Sequence, residues 1–385
     1  MYKIKKSGLV LLTVFLTAGS LFTLVSAEDE TIAESSVPLV TGEATCLGSN
    51  LADLTADAML WYSANNDQYK KADFSLVSEK VFAGTIPAGT LTEADIRAAF
   101  REDAVMIEVK SAGGRWLKAI DESTLNVPAA DVRFVTPANL RYIIQPSQPG
   151  MEEGKRYDEE TARILSVILG KKSDIGWVQN YTAVTDQYLL EASPALTATG
   201  GVEEVSAADG VPIADIVIAY IRETMNGTIP DRYASEHGDD RITVLADANI
   251  EYNEETAVYT YELKEDIPDY KDFIWLPVPE SLLTKKHRGI IGNSFYTQSF
   301  LAQFTGQEDV IECQETIHNV LVPVTEKSGS FILAYGTAPG QKANRLPFIF
   351  AISLMLLVFV VVGMVSRQNV NALLERRNNN TRRHR

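Results

Sequence analysis

Residues 43–62 read EATCLGSNLADLTADAMLWY, and this stretch decides the first part of the fold. Ser49 is a hydroxyl residue that can cap a helix, and Asp53 lies early in the run, where a carboxylate interacts favourably with the helix dipole. The spacing predicts an amphipathic helix whose apolar face is formed by Leu51, Leu54, Ala58, Trp61 and Tyr62.

Short strand and helix patterns alternate downstream of this helix, up to about residue 245. The predicted strands cover residues 73–77, 105–110, 132–135, 141–144, 164–169 and 180–185. The predicted helices cover residues 92–100, 116–120 and 213–225. Such alternation is typical of an α+β or α/β domain.

After Asp247 the patterns become mainly β. They cover residues 250–264, 274–277, 317–324 and 330–335, with one helical stretch at 295–304. We therefore predict a smaller, mainly β, membrane-proximal domain over residues 246–340.

Both ends of the chain carry signals for export and anchoring. Residues 1–27 are typical of a signal peptide, with an uncleaved membrane anchor as the alternative. Residues 346–365, LPFIFAISLMLLVFVVVGMV, contain no charge and as a helix would span about 30 Å. Residues 366–385 hold six Arg and one Glu. The positive-inside rule therefore predicts a single-pass cell-membrane protein with an extracellular N-terminal domain and a cytoplasmic tail.

The charge is distributed unevenly along the chain. The formal net charge of −16 combines two basic ends with a body, residues 28–365, that holds 26 basic and 50 acidic side chains, a net charge of −24. Such a body repels nucleic acids, so we expect no nucleic-acid partner. Residues 28–42 are polar and without periodicity, and they are predicted to form a flexible lead.

Cys46 and Cys313 are the two cysteines, and both fall in the part predicted to be exported. Two cysteines cannot provide a four-ligand zinc site by themselves. They can form one disulfide in an oxidising compartment, or they can be two buried free thiols, and the sequence does not separate these alternatives.

Several short motifs follow one another in a fixed order between residues 43 and 245. They are SNLADLTADAM at 49–59, ADFSLV at 72–77, IPAG at 86–89, NLRY at 139–142, YTAVT at 181–185 and DRITV at 240–244. Together they resemble the C-terminal domain of the 5′-nucleotidases. This resemblance implies a pocket domain over residues 43–245, of the kind that holds the nucleoside part of the substrate.

Complete enzymes of this family carry a separate metallophosphatase domain in front, with two metal ions on Asp, His and Asn ligands. Only about 15 residues separate the predicted signal from the match here. His237, His287 and His318 are not in an Asp-x-His, Asn-His-Asp or His-x-His arrangement. A dinuclear centre needs several such ligands, so we expect no metal, no cofactor and no catalytic residue in this chain.

The motifs of the family's substrate pocket have changed. The eight residues 78–85, SEKVFAGT, stand where the family has Asn-Gly-Gly-Gly-Ile-Arg, with Ala83 at the position of the Arg. Residues 101–104, REDA, stand where it has Pro-Phe-Gly-Asn, with a Phe that stacks on the base. An aromatic face is worth about 1–3 kcal/mol, so nucleotide binding is expected to be weak. The resemblance leaves four candidate substrate-binding residues, Phe82, Tyr188, Gly200 and Gly201.

Two functions fit these observations. The first is a membrane-anchored, non-catalytic binding or scaffolding module that meets a membrane or cell-surface protein partner and has a weak nucleotide or nucleoside ligand. The alternative is the substrate-binding part of a nucleotide-hydrolysing complex whose metallophosphatase half is a separate chain. A third idea is that the acidic exported face recruits a cationic or cell-wall partner, which rising salt would release.

Overall fold

The computed structural model describes residues 30–42, 47–127, 129–151, 161–170, 173–198, 202–236, 238, 241–268, 273–284, 300–316 and 319–335. The predicted signal peptide, the apolar segment 346–365 and the basic tail lie outside these residues. Within the described part of the chain, no helix combines the length and the apolar character needed to cross a membrane.

The described residues form a first unit of mixed α and β structure and a second unit of β structure. The strands of the first unit are β1 (Thr31–Ser35), β2 (Phe74–Ser78), β3 (Gly89–Thr92), β4 (Val105–Ala112), β5 (Val135–Ala138), β6 (Leu140–Ile144), β7 (Ile164–Leu169), β8 (Ser173–Asp174), β9 (Asn180–Asp186), β10 (Glu203–Pro212) and β11 (Ile242–Val244). Its helices are α1 (Asn50–Asn65), α2 (Glu93–Ala98), α3 (Gly113–Ser123), α4 (Gln187–Ala192), α5 (Pro194–Thr197) and α6 (Ile213–Thr224).

The centre of the first unit is a five-stranded sheet in the order β10-β4-β9-β2-β5. Alternate residues of β2 point to opposite faces, as expected of a strand buried on both sides. Val77 packs with α1 and α6 in one apolar cluster. Phe74 and Leu76 pack in a second cluster with Trp116 of α3 and with residues of a four-stranded sheet, β11-β6-β7-β8. The sheet therefore lies between two apolar layers.

Local sequence signals account for the first helices. The Ser49 hydroxyl accepts a hydrogen bond from the Ala52 N–H at 3.2 Å and so caps α1. Thr92 and Asp95 form a reciprocal capping box at the start of α2. Both features agree with the predicted helices.

The second unit consists of one seven-stranded sheet in the order β12-β13-β18-β15-β16-β17-β14. Its strands are β12 (Ala248–Asn253), β13 (Val258–Leu263), β14 (Ile274–Pro279), β15 (Phe300–Phe304), β16 (Val310–Thr316), β17 (Asn319–Val324) and β18 (Ser328–Tyr335). The sheet curls towards closure: Leu245, just before β12, pairs with Trp275 of the opposite edge strand, and the Ala246 N–H donates to the Trp275 carbonyl at 2.9 Å.

The structure corrects several expectations. The lead 28–42 is not flexible throughout, because residues 31–35 form β1, which pairs with β3 and is held by hydrogen bonds between Glu34 and the distant Gly227 and Ile229. The helix predicted over 295–304 is wrong for its second half, because Phe300–Phe304 forms the strand β15 between β16 and β18. The strand predicted at 132–135 starts only at Val135, and the pattern at 250–264 divides into the two strands β12 and β13. The strands β10 and β16 were not predicted.

Candidate functional site

The two altered pocket motifs lie side by side in the structure. The Ala83 N–H donates to the Ala99 carbonyl at 2.8 Å, and the Arg101 N–H donates to the Val81 carbonyl at 2.9 Å. Because of these hydrogen bonds, residues 78–83 after β2 and residues 101–104 before β4 form one wall of the first unit.

Two of the four candidate substrate residues lie at this wall. Phe82 is 7% exposed and packs against Phe100, with ring centroids 5.4 Å apart. Tyr188 of α4 is 6% exposed, and the Lys80 Nζ lies 4.6 Å from the centroid of its ring. Most of the surface of both rings is therefore covered. Gly200 and Gly201 lie outside the described residues.

A cavity of about 230 Å³ opens at this wall. Lys80 and Arg101 bring two cationic side chains to it, although Ala83 stands at the position of the family's Arg. Sequence reasoning missed these cations because it compared the motifs position by position. The lining residues are Thr41, Glu79, Lys80, Phe82, Ala83, Gly84, Arg101, Ala130, Asp131 and Val132.

The carboxylates near the cavity cancel only part of this charge. Although burial alone would raise it, hydrogen bonds from Arg133 and Asn126 and the charge of Arg133 lower the pKa of Asp131. The Arg133 Nη2 lies 2.8 Å from the Asp131 Oδ2, so that carboxylate already has its own cation. Asp103 does not line the cavity, but the Tyr188 hydroxyl and the charges of Arg101 and Lys80 lower its pKa, so this carboxylate offsets part of the charge of the two cations.

Glu79 is the buried acid of the cavity. Burial raises the pKa of its carboxyl to about 8, and a hydrogen bond from the Gly42 N–H, at 2.7 Å, opposes this rise without cancelling it. Gly42 must be a glycine for this approach, since a Cβ there would lie 2.5 Å from the Glu79 carboxyl. A pKa of about 8 makes the protonated, uncharged form of Glu79 predominant at neutral pH, and this form can donate a hydrogen bond.

Asp186 joins the elements that carry the site. Its carboxylate accepts hydrogen bonds from the Ser78 N–H at 2.7 Å, the Ser78 hydroxyl at 2.9 Å and the Leu189 N–H at 2.9 Å. It thus caps α4 and attaches the end of β2 to it. Burial raises the pKa of Asp186. This side chain positions both Lys80 and Tyr188.

The first and last motifs of the resemblance meet in a buried ion cluster. The Arg241 Nη2 lies 2.9 Å from the Asp57 Oδ2, and the Arg241 Nε lies 3.4 Å from the Asp53 Oδ1. The Tyr233 hydroxyl donates to Asp57 at 2.7 Å, and Arg241 also donates to the Pro137 carbonyl at 2.8 Å. The first motif carries the acids Asp53 and Asp57 and the last motif carries the cation Arg241. These opposite charges could have predicted the contact from the sequence, but the prediction did not use them.

Metal and thiol chemistry have few candidates here. Among the described residues, no group of three or more His, Cys, Asp and Glu could hold a metal ion. His237, His287 and His318 lie outside those residues. Cys313 is buried, and burial raises the pKa of its thiol to about 12. Cys46 lies outside the described residues, so its pairing with Cys313 stays a prediction.

Comparison with known proteins agrees with the resemblance. Residues 31–200 match the family model described as 5′-nucleotidase, C-terminal domain. The comparison with curated proteins finds no match.

Two similar solved structures are a 5′-nucleotidase precursor from Thermus thermophilus and the NAD nucleotidase of Haemophilus influenzae. The first is 19% identical with a TM-score of 0.45, over 61% of this chain and 42% of that one. The second is 13% identical with a TM-score of 0.44, over 61% of this chain and 41% of that one. The match thus spans about two fifths of their length.

Proposed function

We propose, from the match of residues 31–200 to the family model of the 5′-nucleotidase C-terminal domain, that the chain is a non-catalytic binding module for a nucleotide-type anion. The observation that supports the proposal is the cavity at which Lys80 and Arg101 meet. Two cations beside an uncharged Glu79 favour an anionic group over a neutral one.

The size of the cavity indicates which part of the ligand enters it. Sites for drug-sized ligands measure about 300–1,000 Å³, and this cavity of about 230 Å³ is smaller. A phosphate or a sugar phosphate fits that space. Because Phe82 already packs on Phe100, the base of a nucleotide is not held between two aromatic faces here.

The proposal is tested by calorimetric titration of the full chain, in detergent, with adenosine monophosphate. Replacing Lys80 or Arg101 by Gln removes a charge-assisted hydrogen bond, worth about 1.5–3 kcal/mol, so affinity should fall about tenfold or more. Lys71→Gln is the matched control, because Lys71 is exposed and does not line the cavity. Equal binding by all three variants, or by adenosine without phosphate, would refute the proposal.

The non-catalytic part of the proposal has its own assay. Phosphate release from nucleotides is measured with the full chain in Mn²⁺, Zn²⁺ or Ca²⁺. We expect no release above background, because the described residues offer no cluster for a dinuclear centre. Metal-dependent turnover at enzyme-like rates would contradict this.

A second candidate is the substrate-binding part of a nucleotide-hydrolysing complex. It is favoured by the matched family itself, which is by its description the C-terminal domain of 5′-nucleotidases. In that case the chain co-purifies with a protein that carries Asp-x-His and Asn-His-Asp motifs, and mixing the two restores hydrolysis. If the mixture stays inactive, this candidate fails.

We also propose that residues 346–365 anchor the module in the cell membrane, with the folded units outside. The supporting observation is the uncharged segment followed directly by the basic tail. Alkaline carbonate should leave the full chain in the membrane fraction, whereas deletion of 346–385 should release it. Protease added to intact cells should digest the folded units. Retention of the deletion variant would argue against an anchor.

A further inference from the structure

A cavity of about 600 Å³ lies in the second unit. It opens at the end of the curled sheet where the β15–β16 turn and the β17–β18 turn lie together. Trp275 of β14 forms part of its wall and also pairs with Leu245 of the linker from the first unit. Open ends of curled sheets and domain junctions are common positions for ligand sites.

Four aromatic and two acidic side chains are among the fourteen residues that line this cavity, which we call the β cleft. Tyr261, Phe273, Trp275 and Phe304 supply aromatic rings, and Phe273 meets Trp275 edge-on at 5.6 Å between centroids. Glu312 and Glu326 supply carboxylates. The other lining residues are Thr305, Gln307, Ile311, Gln314, Pro323, Thr325, Gly329 and Ser330.

No described residue that lines the β cleft is basic. The neighbouring Lys327 is engaged elsewhere, since its Nζ lies 2.6 Å from the Asp266 Oδ1. Aromatic faces attract cations through the negative potential of their π systems, and this attraction grows where water is excluded. The aromatic rings and the two carboxylates of the β cleft therefore favour a positively charged group, and no basic side chain among its described lining residues repels it.

We propose that the β cleft binds a lysine or arginine side chain of a basic peptide segment of a partner protein. The volume supports a peptide, because a single ammonium group fills a small part of about 600 Å³. The amide side chains of Gln307 and Gln314 can serve the peptide backbone beside the charged group. The net charge of −24 on residues 28–365 attracts such a partner from a distance.

The test is fluorescence anisotropy of a labelled hexalysine peptide with the full chain, at physiological ionic strength. Glu312→Gln with Glu326→Gln should lower affinity about tenfold, and Phe273→Leu should lower it several-fold. Glu254→Gln with Glu255→Gln is the matched control, because it removes the same charge from an exposed turn outside the cleft and should change affinity less than about twofold. A peptide with acetylated lysines should not bind.

Two outcomes would overturn the proposal. If the control pair weakens binding as much as the cleft pair, the peptide responds to overall charge and not to the β cleft. If the acetylated peptide, tetramethylammonium or a neutral oligosaccharide binds as tightly as hexalysine, the occupant is not a basic peptide. The same variants are also titrated with adenosine monophosphate. This distinguishes a failure of peptide binding at the β cleft from a failure of nucleotide binding at the cavity of the first unit.

Discussion

Glu79 is a buried acid whose ionisation opposes folding. Its pKa rises from 4.5 to about 8 on folding. Between these values the unfolded chain has lost the proton and the folded chain keeps it. The free energy of unfolding therefore falls as pH rises through this window, by up to about 1.4 kcal/mol for each pH unit from this one group.

We predict that Glu79→Gln removes this pH dependence, since an amide does not ionise. Relative to the parent chain, the variant should gain stability as the pH is raised from 5 to about 8. Urea denaturation at several pH values measures the effect. Parallel curves for the two proteins would show that Glu79 does not titrate in this window.

Arg241 holds two acids that the fold buries. Replacing it by Met removes the nearest cation of both Asp53 and Asp57, although the Arg232 Nη2 stays 3.8 Å from the Asp57 Oδ2; such a loss typically costs about 3–5 kcal/mol of stability. Arg222→Met is the control: Arg222 contacts Glu30 and Glu93 at the surface, and its loss should cost less than about 1 kcal/mol. Denaturant midpoints compare the two, and similar losses would contradict a structural role for the buried cluster.

At the scale of elements, Asp186 couples the start of α4 to the end of β2. Asp186→Ala removes the helix cap and leaves the buried Ser78 N–H without its acceptor, so we predict a loss of about 2 kcal/mol. It should also weaken binding of adenosine monophosphate, because Lys80 and Tyr188 lose their support. Asp186→Asn keeps an acceptor and should retain most of the stability and binding. If Asn and Ala behave alike, the contact does not position the site.

Elements with signals in their own sequence could be predicted, and elements defined by distant partners could not. The helix α1 follows from its apolar period and from the Ser49 cap, which are local features. The strand β15 has consecutive buried residues, Phe300 to Ala302, and such a run does not separate a strand from a helix. The strand β1 is short and polar, and its order comes from partners near Gly227.

The same limit applies to the site. The sequence could nominate Phe82, Tyr188 and the loops around them as candidates because each lies in a recognisable motif. The contact of Lys80 with Tyr188 joins segments that are far apart in sequence, and the elevated pKa of Glu79 depends on its burial in the tertiary fold. Neither property is encoded in a local pattern.

At the scale of the whole molecule, the two units have separate main apolar cores, and a small cluster of Ile143, Leu245 and Leu321 lies between them. Leu276 lies in the core of the second unit, and Leu76 lies under the five-stranded sheet of the first. We predict that Leu276→Ala destabilises the second unit by about 2–5 kcal/mol and leaves binding of adenosine monophosphate unchanged. Leu76→Ala should destabilise the first unit and weaken binding of adenosine monophosphate. Calorimetric unfolding with a parallel nucleotide titration measures this, and lost binding in Leu276→Ala would mean that the units do not fold independently.

The position of β18 also determines how the molecule bears tension. This last described strand lies inside the seven-stranded sheet, paired with β13 on one side and with β15 on the other. A pull along the strand from its C-terminal end loads both ladders of hydrogen bonds in shear, so many bonds must break together. An edge strand would instead peel away one bond at a time. The seven-stranded sheet therefore resists a load applied at the C-terminal end of β18 without unravelling.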